Sequence, residues 1–203
     1  MKLATVFLVM VAAAFMASAS PITQCPAVQN DTTGCQFLIT VTSINGSGAV
    51  TGYTVTASSP NQGPYDGVED TLIGIVNPLA AAAKSLTLSI IAAGDGAFDF
   101  DGDGACAAIG CTNGAGDTSG YGGPHVNYSA IGGSVFQNGT INFGCTGVGA
   151  CTGIANGASE WFSLEQALTA SQLGGVPEPG SWALLGSGLV GVALLARKRR
   201  VAR

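Results

Sequence analysis

FDFDGDG, residues 98–104, sets Asp99, Asp101 and Asp103 at alternate positions in front of Gly104. Alternate carboxylates in a curled loop converge on one point, and glycine permits the sharp turn. A hard cation that takes roughly six to eight oxygen ligands then offsets their mutual repulsion. The pattern is the opening of a calcium loop and goes no further, because the twelfth position, where an EF-hand needs a bidentate Glu, is Gly110. Asp99, Asp101 and Asp103 are therefore the candidate metal ligands and calcium the candidate ion. Asp95 or Asp117 would add a carboxylate from across the loop. A solvated acidic turn is the competing reading.

Catalytic constellations are absent from the sequence. A Ser/His/Asp triad would have to run through His125, the only histidine, and nothing near it resembles a nucleophile elbow. Glycoside hydrolysis needs a carboxylate pair. Glu160 and Glu165 are the obvious pair, but an odd separation on an extended strand turns them to opposite faces. Adjacent Glu69 and Asp70 diverge in the same way. No catalytic and no cofactor-binding residue is assigned. Tyr53, Tyr65, Tyr121, Tyr128 and Trp161 would stack on sugar rings if coplanar and exposed, with core packing the default for such residues.

These groups need a scaffold, and the sequence supplies strands. QFLITVT (36–42), AVTGYTVT (49–56), TLIGIV (71–76), SLTLSII (85–91), HVNYSAI (125–131), GTINFG (139–144) and SEWFSLE (159–165) are rich in β-branched and aromatic residues between Gly, Asn, Ser and Pro. In SLTLSI, Leu86, Leu88 and Ile90 share one parity and Ser85, Thr87 and Ser89 the other, the mark of a strand buried on one face. INGSG (44–48) reads as a hairpin turn. The expected fold is all-β: an antiparallel β-sandwich over 20–165, immunoglobulin-like or jelly-roll-like, with a glycine-rich loop at 94–123. AAAAK (80–84) is a candidate helical turn, and residues 166–175 read as a linker. Asn30, Asn45, Asn127 and Asn138 open Asn-x-Ser/Thr triplets and are taken as turn and strand-end residues.

Six cysteines fall in three local pairs, and the expected bridges are Cys25 with Cys35, Cys106 with Cys111 and Cys145 with Cys151. A zinc site competes poorly, with no Cys-x-x-Cys spacing and one histidine. Between Ser20 and Val176 eleven acids face a single base, Lys84. Such a body repels phosphate and anionic lipid, so nucleic acid is not a partner.

The two ends carry addresses. MKLATVFLVMVAAAFMASAS has one charge, Lys2, an apolar run to Met16, and Ala17-Ser18-Ala19 in the pattern of a signal-peptidase site; residues 1–19 read as a signal peptide cut after Ala19. Export makes the cysteines bridge-forming. At the other end, VPEPGSWALLGSGLVGVALLARKRR holds an apolar helix at 182–196, about 22 Å long, against a hydrocarbon core of roughly 30 Å. Its basic end stays on the cytoplasmic side.

Pro177-Glu178-Pro179, then Ser181-Trp182-Ala183-Leu184, then the basic run 196–200 resemble the PEP-CTERM sorting signal of Gram-negative bacteria, here spanning 176–203. Gly180 stands where that signal often has Ser or Thr. The resemblance implies that exosortase reads the tail and cuts near Pro-Glu-Pro after transient insertion in the inner membrane, in a setting of exopolysaccharide and biofilm production. GPYDGVEDTLIGIVN (63–77), FDFDGDG, GYGGP, GTINF and WFSLE also resemble, in that order, an ectodomain that recurs before such tails; it brings no known activity, and the cysteine loops depart from it. The expected protein is non-enzymatic, delivered to the cell surface or extracellular matrix, with signal peptidase and exosortase as processing partners. Its rivals are an adhesin that binds carbohydrate and a hydrolase of matrix polysaccharide.

Overall fold

The computed structural model describes residues 22–174 apart from 32–33, 59–61, 93 and 147–150. The signal peptide with Ala19, Pro177, Glu178 and Pro179, and the helix at 182–196 lie outside the described residues. Among the described residues no helix is long and apolar enough to cross a membrane.

Among the described residues nine strands and one short helix follow in order: β1 Phe37–Ile44, β2 Val50–Ala57, β3 Thr71–Val76, β4 Ser85–Ser89, β5 Ile91–Ala92, β6 Asp95–Gly96, α1 Ala105–Ile109, β7 Val126–Gly132, β8 Asn138–Phe143 and β9 Ser159–Leu164. All seven segments expected from their β-branched residues form strands. They make a four-stranded sheet, β2-β1-β3-β9, and a three-stranded sheet, β4-β8-β7, with β5-β6 as a separate ribbon. The INGSG turn closes the β1–β2 hairpin as expected. Asn45 Oδ1 accepts the amides of Ser47 and Ala49 at 3.0 and 2.9 Å, satisfying groups that the turn takes out of the ladder.

Most pairings are antiparallel, but β1 and β3 run parallel, from Phe37 opposite Ile73 to Thr40 opposite Val76. The purely antiparallel reading is therefore corrected to an all-β fold with one mixed sheet. Val41, Ile73, Ile75 and Phe162 from the first sheet share a core with Leu86, Leu88, Ile141 and Phe143 from the second. The alternation read in SLTLSI is real: Leu86 and Leu88 are buried while Thr87 and Ser89 are exposed.

β3 is buried on both faces, as a continuous apolar run demands. Its inner face meets the main core. Its outer face carries a smaller one, in which Ile22, Cys25, Val28 and Cys35 pack with Tyr65, Leu72 and Ala105. The Cys25–Cys35 bridge, with Cα atoms 5.0 Å apart, holds Ile22, Cys25, Val28 and Cys35 over this face. Gly74 is what admits it, since a Cβ there would lie 2.6 Å from Cys35 Sγ. The other two bridges also join the expected partners, Cys106 to Cys111 and Cys145 to Cys151, with Cα atoms 4.9 and 4.2 Å apart.

Two local expectations fail. AAAAK forms no helix: Ala83 bridges Ile154 instead, and Asn77 Nδ2 donates to both Ala81 O and Ile154 O at 2.8 Å, holding a run too short to nucleate a helix. Residues 166–174 are not a free linker. Leu168 and Leu173 are buried in the main core, and the Thr71 hydroxyl donates to Gln166 O at 2.8 Å while accepting from Leu168 N at 2.9 Å.

Candidate metal site

The site lies where β3 begins and β9 ends. Antiparallel pairing sets Thr71 opposite Leu164, so Asp70 and Glu165, one residue beyond each, meet at that end of the sheet. Asp70 is fixed by its own loop: Asp66 Oδ1 accepts the amides of Val68, Glu69 and Asp70 at 3.0 to 3.1 Å, and Tyr65 N donates to Asp70 O at 3.0 Å. The second contribution comes from the glycine-rich loop. Asp103 N donates to Asp101 Oδ1 at 3.2 Å, a side-chain turn that the positive φ of Gly102, 105°, makes possible. Ala105 N then donates to Ser163 Oγ at 3.0 Å and pins α1 to β9.

Between these segments stands Tyr121, fully buried and stacked on Phe100 with ring centroids 4.4 Å apart. Its hydroxyl oxygen lies 2.8 Å from Asp103 Oδ1, 3.1 Å from Asp101 Oδ1 and 3.4 Å from Asp70 Oδ1, and it contacts Glu165 Oε2 as well. A phenol has one hydrogen. It can serve one of the four carboxylates, and the others face an oxygen that has nothing left to donate. Oxygens of Asp70, Asp103 and Glu165 lie within 4.8 Å of one another. Asp70 has a second donor, the Tyr65 hydroxyl at 2.7 Å from Oδ2.

Among the described residues no lysine or arginine balances this charge. Lys84 lies beyond the other end of β3, bonded through its amide to Gly48 O. Three of the four acids, Asp70, Asp103 and Glu165, are held above their ordinary range. Burial, with Glu165 and Asp103 adding repulsion, pushes the Asp70 carboxyl up to about 8. Burial also raises Glu165, against the pull of the Tyr121 hydroxyl. Asp103 is raised by burial and by its hydrogen bond with Asp101, and Asp101 is lowered chiefly by that same bond. Tyr121 is raised by burial and by its bonds to Glu165 and Asp103. The constellation offers oxygen ligands alone, the donor set of a hard divalent cation.

Of the expected ligands, Asp101 and Asp103 join the cluster. Asp99 is exposed and is not among the acids around the Tyr121 hydroxyl. Asp117 is engaged elsewhere, accepting from Asn113 Nδ2 at 2.6 Å, Ser119 N at 2.9 Å and Gly122 N at 3.0 Å. Asp70, Glu165 and Tyr121 were missed as partners. Their signal was positional: each acid flanks a strand, and only the β3–β9 register brings the two together. Of the aromatics considered for sugar stacking, Tyr65 and Tyr121 are buried, Trp161 is half-buried against the outer core, and Tyr53 and Tyr128 donate to Leu173 O and Ser163 O at 2.8 and 2.6 Å.

The tail carries a sorting address. Residues 175–200 match the PEP-CTERM protein-sorting motif. The motif implies processing by exosortase and export through membrane-associated sorting to the cell surface. Neither a curated protein nor a solved structure matches it.

Proposed function

We propose that this chain is a non-enzymatic surface or extracellular-matrix protein: a β-sandwich body, delivered by its sorting tail into an exopolysaccharide setting and braced by calcium at Asp70, Asp101, Asp103, Glu165 and Tyr121. The observation that carries the calcium reading is the crowding of four carboxylates around one phenol hydrogen. A cation there would tie the start of β3, the end of β9 and the glycine-rich loop into one unit. The non-enzymatic reading draws support from spacing. Glu160 and Glu165 are five residues apart along an extended segment, about 17 Å, well outside the roughly 5 to 9.5 Å of glycosidase carboxylate pairs.

Thermal unfolding of the intact protein with and without calcium tests the brace. At roughly 100 times the dissociation constant an ion binding the folded state adds about 2.7 kcal/mol. Each kcal/mol is worth roughly 2–4 °C at this size, so Tm should rise by about 5–10 °C. The rise should vanish in Asp101→Ala; an unresponsive parent would sink the calcium reading. Delivery is tested by the intact mass of protein recovered outside the cell. A mass ending near Val176 supports processing, and a chain retaining Arg203 overturns it.

A further inference from the structure

The four-stranded sheet treats its two edges differently. Beyond β9 the chain covers its own edge, with Ser163 N donating to Tyr121 O at 2.9 Å and Gly122 bridging Phe162. In the second sheet β7 is covered too: Gly114 N donates to Val126 O at 3.1 Å and Asn127 Nδ2 to Ala115 O at 2.6 Å. What remains of that edge is kinked by a register shift between Ser129 and Gly132, with Ala130 at a φ of 52°. β2 has no such cover. It ends the sheet order, and among the described residues it pairs with β1 alone, without a register shift from Tyr53 to Ala57; Ala49, just before it, bridges Ser85. Alternate N–H and C=O groups of such a strand point away from its neighbour and form a template for another strand. Lysine, proline or an inward charge blunts most natural edges, yet β2 holds no proline and residues 32–65 hold no charged side chain. We propose that β2 pairs antiparallel with β2 of a second copy of this chain, joining two four-stranded sheets into one of eight strands.

Charge and the exit of the tail both select a second copy. The acids of this sheet gather toward its other edge, with Glu160 on β9, Glu165 just past it and Asp70 just before β3. Pairing through β2 sets the two β9 strands seven spacings apart, about 34 Å, well beyond the roughly 8–10 Å over which salt lets charges act. Two acidic bodies thus meet where repulsion is least. The two-fold axis of such a pair runs perpendicular to the sheet, so both inner faces stay on one side. Tyr53 packs on the main core and donates to Leu173 O at 2.8 Å, and Gly174 is the last described residue. Both sorting tails therefore start from the same side of the shared sheet, as two chains addressed to one membrane require. On the outer face Thr54 and Thr56 are exposed while Val55 between them is buried, which sets threonine near threonine across the new seam. One strand edge falls below the roughly 1,200 Å² of stable complexes, so the dimer depends on concentration, and a shared membrane supplies it.

The test is native mass spectrometry of the intact protein in detergent over a concentration series. The parent should pass from monomer to dimer. Thr54→Lys with Thr56→Lys, and separately Thr54→Glu with Thr56→Glu, should each weaken the dimer about tenfold through like charges at the seam. Mixing the two variants should restore a dimer of one copy of each. Association through the tails alone would persist in both variants and overturns the proposal, as does a parent that stays monomeric or a mixture that fails to pair. Hydrogen exchange on the parent decides the matter if the variants fail to fold: amides of residues 53–57 should exchange more slowly as concentration rises, and unchanged exchange refutes the pairing.

Discussion

The two ends of β9 hold the same residue type in different company. Glu160 stands alone with one backbone amide and an opening to solvent. Glu165 is packed with Asp70, Asp101 and Asp103 around a shared phenol. Burial raises both carboxyls. A lone half-buried acid settles its charge by taking one proton. Four crowded acids cannot all be settled so cheaply, because each proton relieves only one pair of neighbours, whereas a divalent ion relieves them together. Company rather than burial separates the two sites.

The sharpest way to break this comparison is to change one acid at each end. Asp70→Asn should abolish most of the calcium-dependent gain in Tm, about 5–10 °C in the parent, while Glu160→Gln should leave that gain intact; calorimetry of the two variants at matched calcium decides. If Glu160→Gln erased the response, the division between the ends would fall.

A smaller effect is expected from pH in the absence of calcium. Asp70 is raised to about 8, Glu160 to about 7 and Asp31 to about 6, each by burial, from ordinary values of 3.8 for the aspartates and 4.5 for the glutamate. Between the ordinary and raised values the folded chain holds protons that the unfolded chain has released. Stability should therefore be greatest near pH 4 and fall as pH rises toward 8. Urea titrations across that range should show the decline, shallower above pH 6 in Asp70→Asn and shallower between about pH 4 and 7 in Glu160→Gln. Calcium should flatten the curve most at its alkaline end, where the ligands are ionised.

Tyr121→Phe comes next, removing the one hydrogen the acids share. In calcium-free buffer it should destabilise by about 1–2 kcal/mol, read from the urea midpoint at unchanged slope. Least of all, Asp99→Asn should shift neither Tm nor calcium response by more than about 0.5 kcal/mol, because its side chain lies outside the cluster.

Strands were legible in the sequence because β-branched alternation is a local property, and INGSG betrayed its turn through Asn45. The bridges were legible because each joins near neighbours in the chain. The parallel β1–β3 pairing was hidden, since it places a hairpin between two strands that end up adjacent. FDFDGDG announced acids for a cation, yet local spacing named Asp99 where the fold instead recruits Asp70 and Glu165. Those two are 95 residues apart and become neighbours only through the register that sets Thr71 against Leu164. Residues 166–174 misled for the opposite reason: polar composition looked like a tether, while Leu168 and Leu173 were already enough to bury it.

That strap has a mechanical meaning. The sorting motif begins at residue 175, directly after a stretch fastened to Thr71 and, through Leu173 O, to the Tyr53 hydroxyl on β2. Tension drawn through the tail reaches β9 only after those fastenings are peeled away in turn. The strap therefore works as a strain relief for β9: tension in the tail is taken first by Thr71 of β3 and Tyr53 of β2.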